Sequence, residues 1–221
     1  MHFSWVFVIS VVQLAVIASP WSVLVALVAQ REAEDTTATT MTVDATKKYQ
    51  TVDGFGFSQA FGGATSLRDI TPAATQKQVL DLLWSPVNGS GMTILRNGIG
   101  NSANNSGNML SILREAPSSP SAVPTYTWDG DDNGQVWLSQ QALTYGADMT
   151  IIADAWSAPS FMKTNDNETD GGYLCGVTGA TCESGNWTQA YANYLVQYIK
   201  FYEQVGIPLK QVGFVNEPDL M

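Results

Sequence analysis

From residue 41 onward the chain alternates between short β-branched runs and longer stretches whose apolar residues recur three or four positions apart. The stretch "TMTVDATKKYQTVDGFGFS" is rich in Thr and Val with polar interruptions and predicts one or two strands. "TPAATQKQVLDLLW" predicts a helix, with Thr71 as N-cap, Pro72 in its first position and Val79, Leu80 and Leu83 on one face. "MTILRNGIG" and "MTIIADAW" predict short buried strands, the first leaving into a Gly/Asn loop. Between them, "GQVWLSQQALTYG" spaces Leu138, Ala142 and Tyr145 helically, and Gly146 suits its C-terminus. The clearest helix is "WTQAYANYLVQYIKFYEQVG", in which Trp187, Tyr191, Tyr194, Leu195, Tyr198, Phe201, Tyr202 and Val205 form a wide apolar stripe. Asn186 and Gln189 have the spacing of a capping pair, and Gly206 and Pro208 close the far end. A stripe of this kind reads as packing. "QVGFV" is the last strand, and "APSSPSAVPTYTWDGDDNG" is a Pro/Ser surface loop.

Strands buried on both faces and alternating with helices imply parallel β-α units, hence an α/β fold. An open sheet and a (β/α)8 barrel are the two candidates. Each strand ends in polar or aromatic residues: Phe57-Ser58-Gln59, Arg96-Asn97, Asp154 with Trp156, and Asn216-Glu217. Barrels build their active sites from residues at these strand ends, so the barrel fits better. No Gly-x-Gly-x-x-Gly turn opens a helix, and "GFGFSQAFGGA" lacks the Lys-Ser/Thr ending of a phosphate loop. Nucleotide binding is therefore not indicated.

Charge and histidine content narrow the chemistry. The net charge is −10, from 10 basic and 20 acidic residues, which argues against binding a nucleic acid through its phosphates. The single histidine is His2, in an apolar leader. A mature chain without it has no Ser-His-Asp triad, no Cys-His pair and no histidine-ligated metal. Proton transfer near neutrality then falls to carboxylates, tyrosines or lysines, and no cofactor is called for.

Residues 1–30 carry no charged side chain. Residues 1–29 read as a signal peptide with small-residue exits after Ala18 or Ala29, and an uncleaved membrane anchor is the alternative. Pro20 interrupts the run and favours cleavage. Residues 30–40 form a polar segment expected to lack order, and residues 41–221 the folded domain. Export would make the protein extracellular, with no stable membrane association. Four acceptor triplets, at Asn88, Asn104, Asn167 and Asn186, fit N-glycosylation. Cys175 and Cys182 are the only cysteines, and in an oxidising compartment they would close a short loop. Two thiols without histidine make an incomplete zinc site.

At the strand ends, Glu217 would lie on the rim of a partly desolvated cleft, where desolvation raises a carboxyl pKa and lets it act as an acid. Asn216 could donate to a sugar hydroxyl, and Pro218 would fix the turn. By itself Asn-Glu-Pro is a weak signal and reads as a simple strand cap. Arg96 could hold a carboxylate ionised or form an ordinary ion pair. Trp156 is either core or an aromatic wall turned to the rim by Ser-Ala-Pro. Asp154 points either into the barrel or toward the site.

"VDGFGFSQAFGGA", "ILRNGIG", "DAWSAPSFMKTN" and "GFVNEPDL" occur in this order at successive strand ends. Together they resemble glycoside hydrolase family 30, and its secreted fungal members in particular. The resemblance implies a (β/α)8 barrel, of which about the first four β-α units are present, flanked by a β-domain whose first strand would be "TTMTVDATKKYQ". It further implies a retaining mechanism with Glu217 as general acid/base. Asn216 would contact the sugar 2-hydroxyl, Trp156 would wall the subsite of the cleaved sugar, Arg96 would support the nucleophile and Asn97 would be a further substrate contact. The family's nucleophile is a glutamate on the seventh strand, so this chain is expected to be the front half of an enzyme and inactive alone. The implied substrates are polysaccharides, β-1,6-galactan or xylan, with a glucosylceramide-type glycoconjugate ranked below them. A catalytically inactive carbohydrate-binding protein is the other reading. "SQAFGGATSL" has Gly62-Gly63 and no arginine before Arg68, which weakens an assignment to glucuronoxylan.

Overall fold

A computed structural model describes residues 42, 44, 46–108, 110–146 and 148–218. The expected leader and polar segment lie outside the described residues. The chain divides into two units, residues 1–51 and 52–221. In the first, the Asp44 carboxylate accepts hydrogen bonds from the backbone N–H and hydroxyl of Thr46, at 3.0 and 2.6 Å, forming a local turn. The strand expected over "TTMTVDATKKYQ" is not found among its described residues, which include no partner strand to pair with it.

The second unit is a run of β-α units. In chain order it contains β1 (Gly56–Ser58), α1 (Gly63–Arg68), α2 (Ala73–Trp84), β2 (Ile94–Ile99), α3 (Gln135–Leu143), β3 (Thr150–Ala155), α4 (Thr188–Gln204) and β4 (Leu209–Gly213). All strand pairs are parallel, and the order is β1-β2-β3-β4 without reversal. A doubly wound sheet reverses its order at a switch point, whereas a barrel adds each strand beside the last. The register runs from Ile94 opposite Thr150 to Ile99 opposite Ala155, and a shift between Ile151 and Ile152 re-aims β4.

Several expectations are corrected. β1 is three residues long, because its ladder follows β2 only from Ile94 to Arg96. The Gly-rich stretch after it contains helix α1, whose small residues hid it from a periodicity reading. In α2 the N-cap position belongs to Pro72, not Thr71, and the residues buried are Leu80 and Trp84. Trp187, not Asn186, precedes α4; Asn186 instead accepts from the backbone and hydroxyl of Thr188. Among the described residues the strands are fully buried on one face only. Along β3, Ile151, Ala153 and Ala155 are buried while Thr150, Ile152 and Asp154 are half-buried. One face carries the core with the helices, and the other carries the polar positions.

The core joins Leu95, Ile99, Ile151 and Ala153 to Leu138 and Ala142 of α3 and to the tyrosines of α4. Tyr191, Tyr194, Tyr198 and Tyr202 are the buried stripe of α4, so the packing assignment holds. Each hydroxyl also reaches a polar partner. Tyr191 donates to the Phe214 carbonyl at 2.6 Å, and Tyr194 donates to the Gly100 carbonyl. Tyr198 and Tyr202 both donate to the Asp132 carboxylate, at 2.6 and 2.7 Å. Asp132 lies in the stretch expected to be a surface loop. Instead, the later part of that stretch turns inward, and Trp128 stacks on Phe201 with centroids 5.1 Å apart.

Asp132 also accepts from Gln135 Nε2 at 2.7 Å. Gln135 pairs with both backbone groups of Gly98, donating to its carbonyl at 2.9 Å and accepting from its N–H at 2.8 Å. The reason is topological. Even-numbered residues of β2 direct their backbone groups toward β1, as Arg96 does toward Gln59. β1 ends two residues short of Gly98, and a buried unpaired peptide is costly. The side-chain amide of Gln135 takes the place of the missing strand.

The disulfide Cys175–Cys182 is formed, with Cα atoms 5.5 Å apart. Cys175 is buried and tied by backbone hydrogen bonds to Met162 and Trp187, so the closed loop anchors the entry to α4. Asn88, Asn104 and Asn186 are exposed, and Asn167 is half-buried with its Nδ2 donating to Asp170.

Two predictions follow from this packing. Burial raises the Asp132 pKa from 3.8 to about 6, against the opposing hydrogen bonds of the two tyrosines. A carboxyl whose folded pKa is raised contributes stability that is full below about pH 4 and is lost as pH rises through about 6. The gap corresponds to roughly 3 kcal/mol. Denaturant unfolding of wild type and Asp132→Asn from pH 4 to 7 should show wild type losing about that much relative to the variant; a constant difference would contradict it. Second, replacing Cys175 and Cys182 together by serine removes a loop closure worth about 2 kcal/mol. The same unfolding assay, run under oxidising conditions, should show that loss, and addition of reductant should erase it.

Candidate active site

Arg96 organises the polar face of the sheet. It leaves β2 opposite Ile152, and its guanidinium Nη2 donates to Asp154 Oδ2 and to Asn216 Oδ1, both at 2.6 Å. Nη1 lies 3.5 Å from the Ser58 hydroxyl. Arg96 and Asp154 are each about a quarter exposed, at 24% and 23% of their side chains. A charge-assisted bond in that setting is stronger than a surface ion pair.

Asp154 is held by its neighbours. Its backbone lies opposite Gly213 of β4, and a Cβ at Gly213 would come within 2.1 Å of Asp154 Oδ1. Only glycine leaves room for the carboxylate there. The same Oδ1 is buried without a hydrogen-bond partner. Asp154, undecided from sequence, therefore faces the site and is the carboxylate that Arg96 neutralises.

Asn216 follows from Arg96. A guanidinium only donates, so the Asn216 amide must present its oxygen to it. The Nδ2 end is thereby turned outward and donates to Glu217 Oε2 at 3.2 Å. Glu217 has a left-handed backbone, φ 44°, directly before Pro218. This conformation is unfavourable for a non-glycine residue, and such residues cluster at functional sites. Its side chain is exposed, so the partly desolvated surroundings expected for it are not present among the described residues.

Trp156 is half-buried at the rim, with the Arg96 guanidinium 5.1 Å from the centre of its ring. This cation–π contact fixes the indole beside the polar cluster. Phe61 meets it edge-on, with centroids 5.2 Å apart and planes at 80°. Of the five residues singled out from sequence, the structure thus gathers Arg96, Trp156, Asn216 and Glu217. Asn97 is corrected: it is fully buried on the opposite face of β2, donating to the Ser139 hydroxyl at 2.8 Å, and cannot touch a substrate. Side chains alternate along a strand, so Arg96 and Asn97 could not both face the site. Sequence reasoning missed Ser58 and Phe61 as site residues, and Asp154 was legible only as a polar strand end.

The cluster brings together a carboxyl at Glu217, a directed amide donor at Asn216 and an aromatic face at Trp156. Residues 38–221 match the family model of O-Glycosyl hydrolase family 30. Among solved structures, the catalytic domain of the GH30 xylanase C from Talaromyces cellulolyticus is 56% identical, with a TM-score of 0.72 over 79% of this chain and 38% of that one. Endo-1,6-beta-D-glucanase neg1 of Aspergillus fumigatus is 27% identical over 80% of this chain and 38% of its own length. Lysosomal acid glucosylceramidase of Mus musculus is 26% identical over 80% of this chain and 33% of its own. The chain thus spans between a third and two fifths of the length of these relatives, and its four parallel β-α units are part of a (β/α)8 barrel. It belongs to glycoside hydrolase family 30.

Proposed function

We propose that this chain carries the acid/base side of a retaining glycosidase site, with Glu217 as the proton-transferring residue. The observation that carries the reading is the hydrogen-bonded series Arg96–Asn216–Glu217 at the carboxyl ends of the strands, beside the indole of Trp156. In the first step Glu217 protonates the glycosidic oxygen as the bond to the sugar breaks; in the second it takes a proton from the attacking water. Asn216, its Nδ2 turned outward by Arg96, donates to a hydroxyl of the reacting sugar. Trp156 packs against the apolar face of that sugar. Arg96 holds the Asp154 carboxylate and the Asn216 amide in register.

A retaining mechanism needs a second carboxylate about 5–5.5 Å from the first. Asp154 and Glu217 are the carboxylates that the described residues place at the ends of these strands, and Asp154 is engaged by Arg96. On the family resemblance, the nucleophile would be a glutamate of a later strand.

For the substrate, the 56% identity to a xylanase favours a xylan backbone. The endo-1,6-beta-D-glucanases of Aspergillus fumigatus and Trichoderma harzianum, 27% and 25% identical, support a β-1,6-linked glucan as second choice. Gly62-Gly63 in place of an arginine favours undecorated chains over glucuronoxylan. An exported, glycosylated enzyme acting outside the cell fits a polymeric substrate.

The test is made on the full-length protein with xylan, glucuronoxylan, β-1,6-glucan and β-1,6-galactan. Xylan should be hydrolysed fastest, and Glu217→Gln should lower kcat by about 10²–10⁴-fold. With an activated aryl glycoside, whose leaving group needs no proton, the loss in the glycosylation step should shrink. Equal losses on both substrates would assign Glu217 another role.

A further inference from the structure

Phe61 is a large aromatic side chain that the catalytic reading leaves unused. It is 66% exposed, although its ring edge touches Trp156. Its backbone lies in the left-handed region, with φ 61°, and Gly62 follows at φ 83°. A phenylalanine gains nothing locally from that conformation, which disfavours residues bearing a Cβ. The turn is fixed from both sides. Gln59 is buried, bonded to Gln135 and accepting from the Ala64 N–H, and the Gly63 N–H closes the turn on the Gln59 carbonyl at 2.9 Å. Gly62 suits the next position of the turn, since a Cβ there would lie 2.5 Å from Asn108 Nδ2. Among the described residues, a strained backbone therefore holds the phenyl ring exposed beside the indole of Trp156.

Resting on the glycosidase reading above, we infer that Phe61 is a second sugar platform. It would take the pyranose one residue along the glycan from the sugar against Trp156, and so select oligomers over short glycosides. The C–H groups on one face of a β-linked pyranose carry slight positive charge and match the negative face of an aromatic ring. The T-shaped pair offers two faces at 80°, suited to consecutive sugars that are rotated relative to each other. Phe61 acts in binding and has no part in bond breaking.

The probe is a ladder of xylose and glucose with their xylo-oligosaccharides and β-1,6-gluco-oligosaccharides, from one to six sugars. Binding is measured by calorimetry on the full-length protein in the Glu217→Gln background, with and without Phe61→Gly. Glycine removes the ring and the strain together. The expected result is a three- to ten-fold weaker Kd for members of two or more sugars, near-equal Kd for the monosaccharide and an unchanged or higher Tm. Phe61→Leu keeps the bulk and the strain and should lose the same chain-length dependence. Equal Kd across the ladder with and without the ring would overturn the platform while leaving the glycosidase reading intact. A lower Tm with affinity lost at every length would make Phe61 a packing residue and also overturn it. No glycan binding by the parent protein would remove the glycosidase reading itself, and the platform with it.

Discussion

The peptide group of Gly98 has no strand to pair with on one side, and much of the fold is arranged around that vacancy. β1 stops at Ser58 while β2 continues to Ile99. Gln135, the first residue of α3, supplies a donor and an acceptor in the plane of the ladder. Its orientation is set by Asp132, and Asp132 is held by the hydroxyls of Tyr198 and Tyr202 from α4. A buried carboxylate with three donors is tolerated because every bond serves another buried group. The extended β2 thus rests on a polar network that joins two helices to one strand.

That extension matters for the site two residues earlier. With β2 held through Gly98, the Arg96 side chain emerges on the open face between Ser58 and Ile152. From there one guanidinium nitrogen reaches both Asp154 and Asn216. The amide of Asn216 is then oriented by the chemistry of its neighbour, since an arginine offers only donors. Gly213 makes room for Asp154, and Trp156 lies over the guanidinium. Electrostatics on the Arg96 face and backbone pairing at the β1 edge meet in a single strand.

Most of the architecture was legible in the sequence because long periodic or continuous apolar segments dominate it. β2, β3, α3 and α4 fall close to where the spacing puts them. β1 and α1 were harder, since a three-residue strand exists only by pairing and a helix of small residues has no apolar stripe. Strand-end polarity located Arg96, Trp156, Asn216 and Glu217, but it could not separate adjacent residues that face opposite ways, which is why Asn97 was misassigned. The inward turn of "TWDGDD" was hidden by its charge: Asp132 reads as solvated until two tyrosines, 66 and 70 residues away, are seen to bond it. Phe61 was invisible for a different reason, since its exposure depends on a left-handed backbone that sequence does not announce outside glycine.

The role of Glu217 can be tested by the stereochemistry of a trapped product. If Glu217 is the proposed acid/base, Glu217→Ala in the full-length protein would remove that carboxylate and leave a small gap on the face from which the leaving group departs. With an activated aryl β-glycoside and azide present, the anion should enter that gap and displace the enzyme-bound sugar. Two inversions give net retention. The β-glycosyl azide, identified by NMR, is the product this account predicts. An α-glycosyl azide would make Glu217 the nucleophile and contradict it.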